Sequence, residues 1–117
     1  PVFIRDSFDH DGKKVLVTEA FELQGQRAVK YVFNVSGPSG PPIYRISFGS
    51  YESTNRVARE LGQIKEGQRL YHLDRYFPDN KHETLGFFST ELPYEDVKAM
   101  ASETISGKRG PMAAPRK

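Results

Sequence analysis

The sequence predicts an α+β fold, in which an antiparallel sheet of five or six strands carries two helices on one face. Residues 27–36 alternate Val29, Tyr31, Phe33 and Val35 against Lys30 and Asn34, at the period of two that a half-buried strand shows. Segments 53–62 and 93–107 instead place apolar residues at helical spacing. Each helical segment follows a strand-like pair, so the predicted element order is β-β-β-β-α-β-β-α.

The first half of the chain is predicted to form four strands. A short strand at 2–4 leads into a polar turn at 6–14, where Asp11 and Gly12 are a typical tight-turn pair. A Gly-centred turn at 24–26 then joins the second and third strands as a hairpin. The second strand, 14–23, is interrupted by Glu19, and the residues that it places on one face are Val15, Val17, Phe21 and Leu23.

The Pro- and Gly-rich loop 37–42 precedes a fourth strand at 43–50, which places Tyr44, Ile46 and Phe48 on one face. The first helix is expected to begin near Ser53 or Thr54, either of which can cap free N–H groups, and Gly62 weakens its end. The apolar residues predicted for its buried side are Val57, Leu61 and Ile64.

The second half is predicted to form a hairpin, with strands at 67–77 and 82–90, and then the second helix. Pro93 suits the first turn of this helix, and Gly107 is expected to end it. The buried side of the helix is predicted to consist of Val97, Met100, Ala101 and Ile105.

Charge divides the chain into a single domain at 1–106 and a flexible basic tail at 107–117. The formal net charge is +2, but the tail contributes +4, which leaves −2 on the domain. The cations of the tail are Lys108, Arg109, Arg116 and Lys117. A slightly acidic domain weakens the case for a dedicated nucleic-acid binder, because such proteins neutralise phosphates.

The composition restricts the class of protein and the chemistry. Hydrophobic residues make up 37% and charged residues 27%, as in a globular domain. The sequence contains no cysteine, which excludes disulfides, a thiol nucleophile and thiolate metal sites. With no apolar run long enough to span a bilayer and no leader-like start, a cytoplasmic protein without membrane contact is expected, and a cysteine-free secreted protein stays open.

Motifs for catalysis, metals and cofactors are missing from the sequence. His10, His72 and His82 lie in a predicted turn, a strand and beside a turn, and none forms an HExxH motif. The acidic stretch 6–12 resembles a calcium loop only faintly, because Val17 stands at its twelfth position instead of Glu. Loop 37–42 leads into a strand, so it lacks the helix N-terminus of a phosphate site. No catalytic residue, metal or cofactor is predicted.

The most suggestive stretch is 69–88, which interleaves aromatic rings with basic side chains. On a sheet, such residues can stack on unpaired bases or on a protein partner, although strand alternation must bury about half of the rings. The predicted binding residues are Arg69, Tyr71, His72, Arg75, Tyr76, Phe77, Lys81 and His82.

Three functional hypotheses follow. The first is a small non-enzymatic binding or adaptor domain, which acts through an aromatic-rich sheet face and forms a homodimer or binds another protein. The second is a single-stranded nucleic-acid-binding protein that uses hairpin 69–88 and the basic tail. The third is a small enzyme or ligand-pocket protein, which requires a concave pocket holding a perturbed titratable group.

Overall fold

A computed structural model of the chain describes residues 2–20, 27–108 and 115–116. Six antiparallel strands form one sheet in chain order: β1 (Val2–His10), β2 (Lys13–Ala20), β3 (Arg27–Ser36), β4 (Pro42–Tyr51), β5 (Tyr71–Tyr76) and β6 (His82–Phe88). Helix α1 (Glu52–Glu60) follows β4, and helix α2 (Tyr94–Ile105) follows β6. The predicted α+β class, strand number and element order are confirmed.

A two-residue strand, β7 (Pro115–Arg116), pairs in parallel with Phe87 and Phe88 of β6. It belongs to segment 107–117, for which the sequence predicts a flexible tail. Arg109 and Lys117 of this segment lie outside the described residues. The flexibility of the tail stays a prediction.

Strand β1 is much longer than the strand predicted at 2–4, and the predicted polar turn at 6–14 is wrong. Only Asp11 and Gly12 turn the chain, with φ values of 50° and 77°. A register shift between Ile4 and Asp6 interrupts the alternation of side chains along β1. The sequence pattern therefore did not indicate a strand of this length.

Strands β2 and β3 pair antiparallel, with Val15 opposite Val35 and Val17 opposite Phe33, as the predicted hairpin requires. Phe21, Leu23 and the turn at 24–26, which the sequence assigns to the second strand and the hairpin, lie outside the described residues.

One face of the sheet, called the core face, packs against α2. The Tyr94 ring stacks on Phe33, with ring centroids 6.0 Å apart and an interplanar angle of 7°. The predicted buried side of α2 is confirmed, because Val97, Met100, Ala101 and Ile105 are all buried. Helix α2 ends as predicted before Gly107, whose φ is 76°. Within the described residues, no helix is long and apolar enough to cross a membrane.

Helix α1 begins at Glu52, upstream of the predicted start at Ser53 or Thr54. Tyr51 occupies the N-cap position and makes no side-chain capping bond, so the predicted cap is wrong. The helix instead continues directly from β4. Its packing is also more peripheral than that of α2, since Ala58 clusters with Ile64, Leu70 and Phe87 apart from the main core.

The buried side of α1 differs from the prediction. Val57 is 53% exposed and Leu61 67% exposed, whereas Asn55 is fully buried. The Asn55 amide nitrogen donates to Ser50 Oγ at 3.1 Å, and its oxygen accepts from the Leu70 N–H at 2.7 Å. These bonds turn Asn55 inward, so Val57, about 200° further around the helix, points outward.

Asp6 links β1 to α2 and gives a pH-dependent prediction. The Tyr94 hydroxyl donates to Asp6 Oδ2 at 2.7 Å, and the Lys98 ammonium lies 3.1 Å away, so both hold the pKa of this carboxyl below its usual range. A lowered carboxyl pKa stabilises the fold above the unfolded-state pKa, and this stabilisation is lost as the pH falls through the folded-state pKa.

Tyr94→Phe is therefore expected to lower the free energy of unfolding by about 1 kcal/mol at pH 7. The difference from wild type should shrink once acid protonates Asp6, because the charge-assisted bond is then gone. Urea unfolding at neutral and acidic pH measures both effects, and Tyr44→Phe is the control. An equal loss at both pH values would contradict the ionic role of Asp6.

Candidate functional site

The face of the sheet opposite α2, called the open face, can be read from strand register. Phe48 pairs with Leu73, and both are buried in the core, so their neighbours Gly49 and His72, which pair with each other, point to the open face. By the same alternation, Leu16 lies between the core residues Val15 and Val17 and points to the open face.

The open face carries three exposed apolar side chains over β1 and β2. Ile4 pairs with Thr18, and Val2 pairs with Ala20, which places Val2 and Ile4 on the same face as Leu16. The exposed fraction of the side chain is 69% for Val2, 66% for Ile4 and 41% for Leu16. A hollow of about 320 Å³ opens beside Leu16. Contiguous exposed apolar side chains of this kind mark interaction surfaces.

A polar network crosses the open face at β5. His72 Nδ1 lies 2.6 Å from Asp74 Oδ2, and the Tyr76 hydroxyl donates to the same oxygen at 3.4 Å. The Tyr51 ring lies 4.9 Å from the His72 ring. Because a carboxylate only accepts hydrogen bonds, this geometry places a proton on His72 Nδ1.

Two atoms of this network are buried without a hydrogen-bond partner among the described residues: His72 Nε2 and Asp74 Oδ1. Asp74 is only 2% exposed, and His72 is its hydrogen-bond partner at 2.6 Å. Unpaired buried polar atoms are rare in native proteins because desolvating them is costly. The network is therefore a site where an added hydrogen-bonding group would be stabilising.

Tyr76 is clamped on both sides of its ring. The His82 ring stacks on it at 5.2 Å, and the Arg45 guanidinium lies 4.8 Å from its centroid. Burial, and then the nearby Asp74 carboxylate, raise the pKa of the Tyr76 hydroxyl well above its usual range. Tyr76 is consequently a protonated hydrogen-bond donor at neutral pH.

The structure brings only part of the predicted binding set together. His72, Tyr76 and His82 share the open face, since Tyr76 pairs with His82 and lies four residues after His72. Tyr71 is buried in the core, where its ring stacks on Phe48 at 5.4 Å and 10°. Burial raises the pKa of Tyr71.

The predicted cations of the binding set are largely engaged within the chain. Arg69 donates to Ser50 Oγ at 3.2 Å and lies 3.8 Å from a Glu52 oxygen. Arg75 is paired with Glu83. A carboxylate paired with an arginine neutralises its charge and weakens its attraction to a phosphate. These contacts therefore do not favour the nucleic-acid hypothesis.

The remaining predicted residues lie at the margins. Phe77 makes an edge contact with Tyr44 at 5.8 Å, and Lys81 is exposed and 3.8 Å from Asp79. Lys108 is exposed at the end of α2. The side chains of the other tail cations, at 109, 116 and 117, lie outside the described residues.

The enzyme hypothesis has one geometric candidate. His10 Nε2 lies 2.8 Å from Ser106 Oγ, beside a cavity of about 150 Å³ that Glu103 and Lys108 also line. A serine next to an imidazole can act as a nucleophile. Ser106, however, is the C-cap of α2, where the helix dipole is negative and opposes a developing oxyanion.

Neither metal ligation nor a known relative adds to this picture. Within residues 2–20, 27–108 and 115–116, no three His, Cys, Asp or Glu side chains lie together in a way that could hold a metal ion. No known protein family, curated protein or solved structure matches the chain.

Proposed function

We propose that the protein is a small non-enzymatic binding domain that forms a homodimer through its open face. The observation that carries this proposal is the position of the exposed apolar residues. Five large hydrophobic side chains of the described chain are exposed, and three of them, Val2, Ile4 and Leu16, share the open face. Burying such a patch is the main driving force of protein association.

A second copy suits this face for two further reasons. Two sheets can pack face to face, and a two-fold axis lets one flat patch contact its own copy. The hollow of about 320 Å³ beside Leu16 offers room for a side chain of the partner.

Leu16→Glu tests the proposal and is expected to raise the dimer dissociation constant at least about tenfold, because it would bury an unpaired charge in the interface. Leu16 is 41% exposed, so the fold should tolerate the change. Leu61→Glu, at the C-cap of α1, is the matched control, since Leu61 is also exposed but does not lie on β1 or β2. Light scattering across protein concentrations gives the mass of each variant.

The same light-scattering measurement separates the dimer hypothesis from the nucleic-acid hypothesis. It is repeated at low and high salt, with and without a short mixed-sequence single strand of nucleic acid. We expect a dimer whose mass changes neither with the salt concentration nor when the nucleic acid is added. A wild-type chain that is monomeric throughout would overturn the dimer. A monomer that gains mass with the strand only at low salt would favour the nucleic-acid hypothesis.

A further inference from the structure

We infer that a cavity beside Arg45, at one end of the open face, binds a small α-hydroxy carboxylate. The cavity has a volume of about 250 Å³. Its polar side chains come from Asn34, Ser36 and Arg45, and its walls from Tyr44, Tyr76 and two prolines. An apolar hollow with a few convergent polar groups is the usual form of a small-molecule site.

Arg45 supplies the positive charge. Among the described residues it has no carboxylate partner, whereas Arg5, Arg59, Arg69 and Arg75 each have one. The Arg45 guanidinium instead lies on the Tyr76 ring at 4.8 Å. A guanidinium stacked on a ring keeps its N–H edge free, in the fork geometry that matches a carboxylate.

The support under Arg45 is rigid. The opposite side of Tyr76 is packed by the His82 ring at 5.2 Å, and its hydroxyl is held by Asp74. Pro42 and Pro78 stand in the cavity wall, where their fixed φ limits movement of the chain. A pre-organised cation loses little side-chain entropy when it binds, which favours affinity for a small ligand.

Asn34 defines the second group of the ligand. It pairs directly with Arg45 across β3 and β4, so both side chains project from neighbouring positions on the same face. The Asn34 amide nitrogen donates to the Leu16 carbonyl at 3.3 Å, which leaves its oxygen to accept a hydrogen bond. The ligand therefore needs a donor close to its carboxylate.

The charge of the site selects among such ligands. One guanidinium balances one carboxylate, whereas a phosphate dianion would keep an uncompensated charge against apolar walls. An ammonium donor beside the carboxylate would lie near the Arg45 cation and be repelled. A hydroxyl group satisfies Asn34 without adding charge, which points to an α-hydroxy acid.

The test is a titration of the full-length chain with lactate, propionate and lactamide, followed by the amide and Arg45 side-chain resonances in ¹H–¹⁵N NMR spectra. We expect lactate to bind more tightly than propionate, which lacks the hydroxyl, and than lactamide, which lacks the charge. Arg45→Gln should weaken lactate binding at least about tenfold. Arg56→Gln, at another arginine without an ion pair in the described chain, should leave binding unchanged.

Asn34→Ala is expected to remove the preference for lactate over propionate while propionate binding is kept. The site is overturned if lactate leaves the Arg45 resonances unchanged, if lactamide binds as well as lactate, or if Arg56→Gln weakens binding as much as Arg45→Gln. Repeating the titration with Val2→Glu, which alters the same patch at the end away from Asn34, shows whether dimer formation affects the site, so failure of the dimer and failure of the cavity are told apart.

Discussion

Replacing Phe48 with alanine is expected to lower the free energy of unfolding by about 3–5 kcal/mol, because it empties the centre of the core. The side chain is fully buried between three aromatic rings. Ring centroids lie 5.4 Å away for Tyr71, 6.0 Å for Phe88 and 6.4 Å for Tyr31. The loss combines the burial of the ring, its aromatic contacts and the cavity left behind.

Urea unfolding of Phe48→Ala measures this loss, with Phe77→Ala as the matched control. Phe77 is only partly buried and contacts Tyr44 and Arg75 at the margin of the sheet, so its removal should cost about 1 kcal/mol. Equal losses for the two variants would show that Phe48 does not occupy the centre of the core.

The fold was predictable where one face of an element is apolar throughout. Strand β3 places Tyr31, Phe33 and Val35 on one face, and α2 keeps Val97 and Ile105 on its buried side. Both elements bury their apolar side against the same core, so local pattern and tertiary packing agree. The sequence alone therefore identifies them.

For two elements the prediction was wrong in part, because non-local contacts decide their packing. The buried side of α1 depends on hydrogen bonds from Asn55 to Ser50 and Leu70. The spacing of apolar residues carries no information about such bonds. In β1, the shift between Ile4 and Asp6 hides the alternation, and Asp6 faces Tyr94 of a distant helix. Buried polar contacts of this kind override the hydrophobic pattern.

The candidate site was only half predictable. His72 and Tyr76 stood among the predicted binding residues, but their partner Asp74 did not. Alternate positions on one strand share a face, so the spacing of His72, Asp74 and Tyr76 was a usable signal. No local signal marks the apolar patch, because the exposure of Ile4 and Leu16 depends on which face α2 covers.

The His72 network leads to the second large prediction: His72→Phe is expected to lower the free energy of unfolding by about 3 kcal/mol. Phenylalanine suits the apolar surroundings, since Tyr51 and Phe87 lie 4.9 and 6.1 Å from the His72 ring. The change nevertheless leaves the Asp74 carboxylate buried, with the Tyr76 hydroxyl at 3.4 Å as its side-chain donor among the described residues. An uncompensated buried charge, rather than lost packing, therefore sets the cost.

Two companion variants isolate this cause. Asp74→Asn keeps an oxygen that can accept from His72 Nδ1 and removes the charge, so it should cost only about 1 kcal/mol. The double change His72→Phe and Asp74→Leu should cost less than His72→Phe alone, because an apolar pair replaces both members of the hydrogen-bonded pair and leaves no buried carboxylate. Unfolding is measured in the Leu16→Glu background, so that dimer formation does not add to the stability. If the double variant is the less stable one, packing rather than charge governs the network.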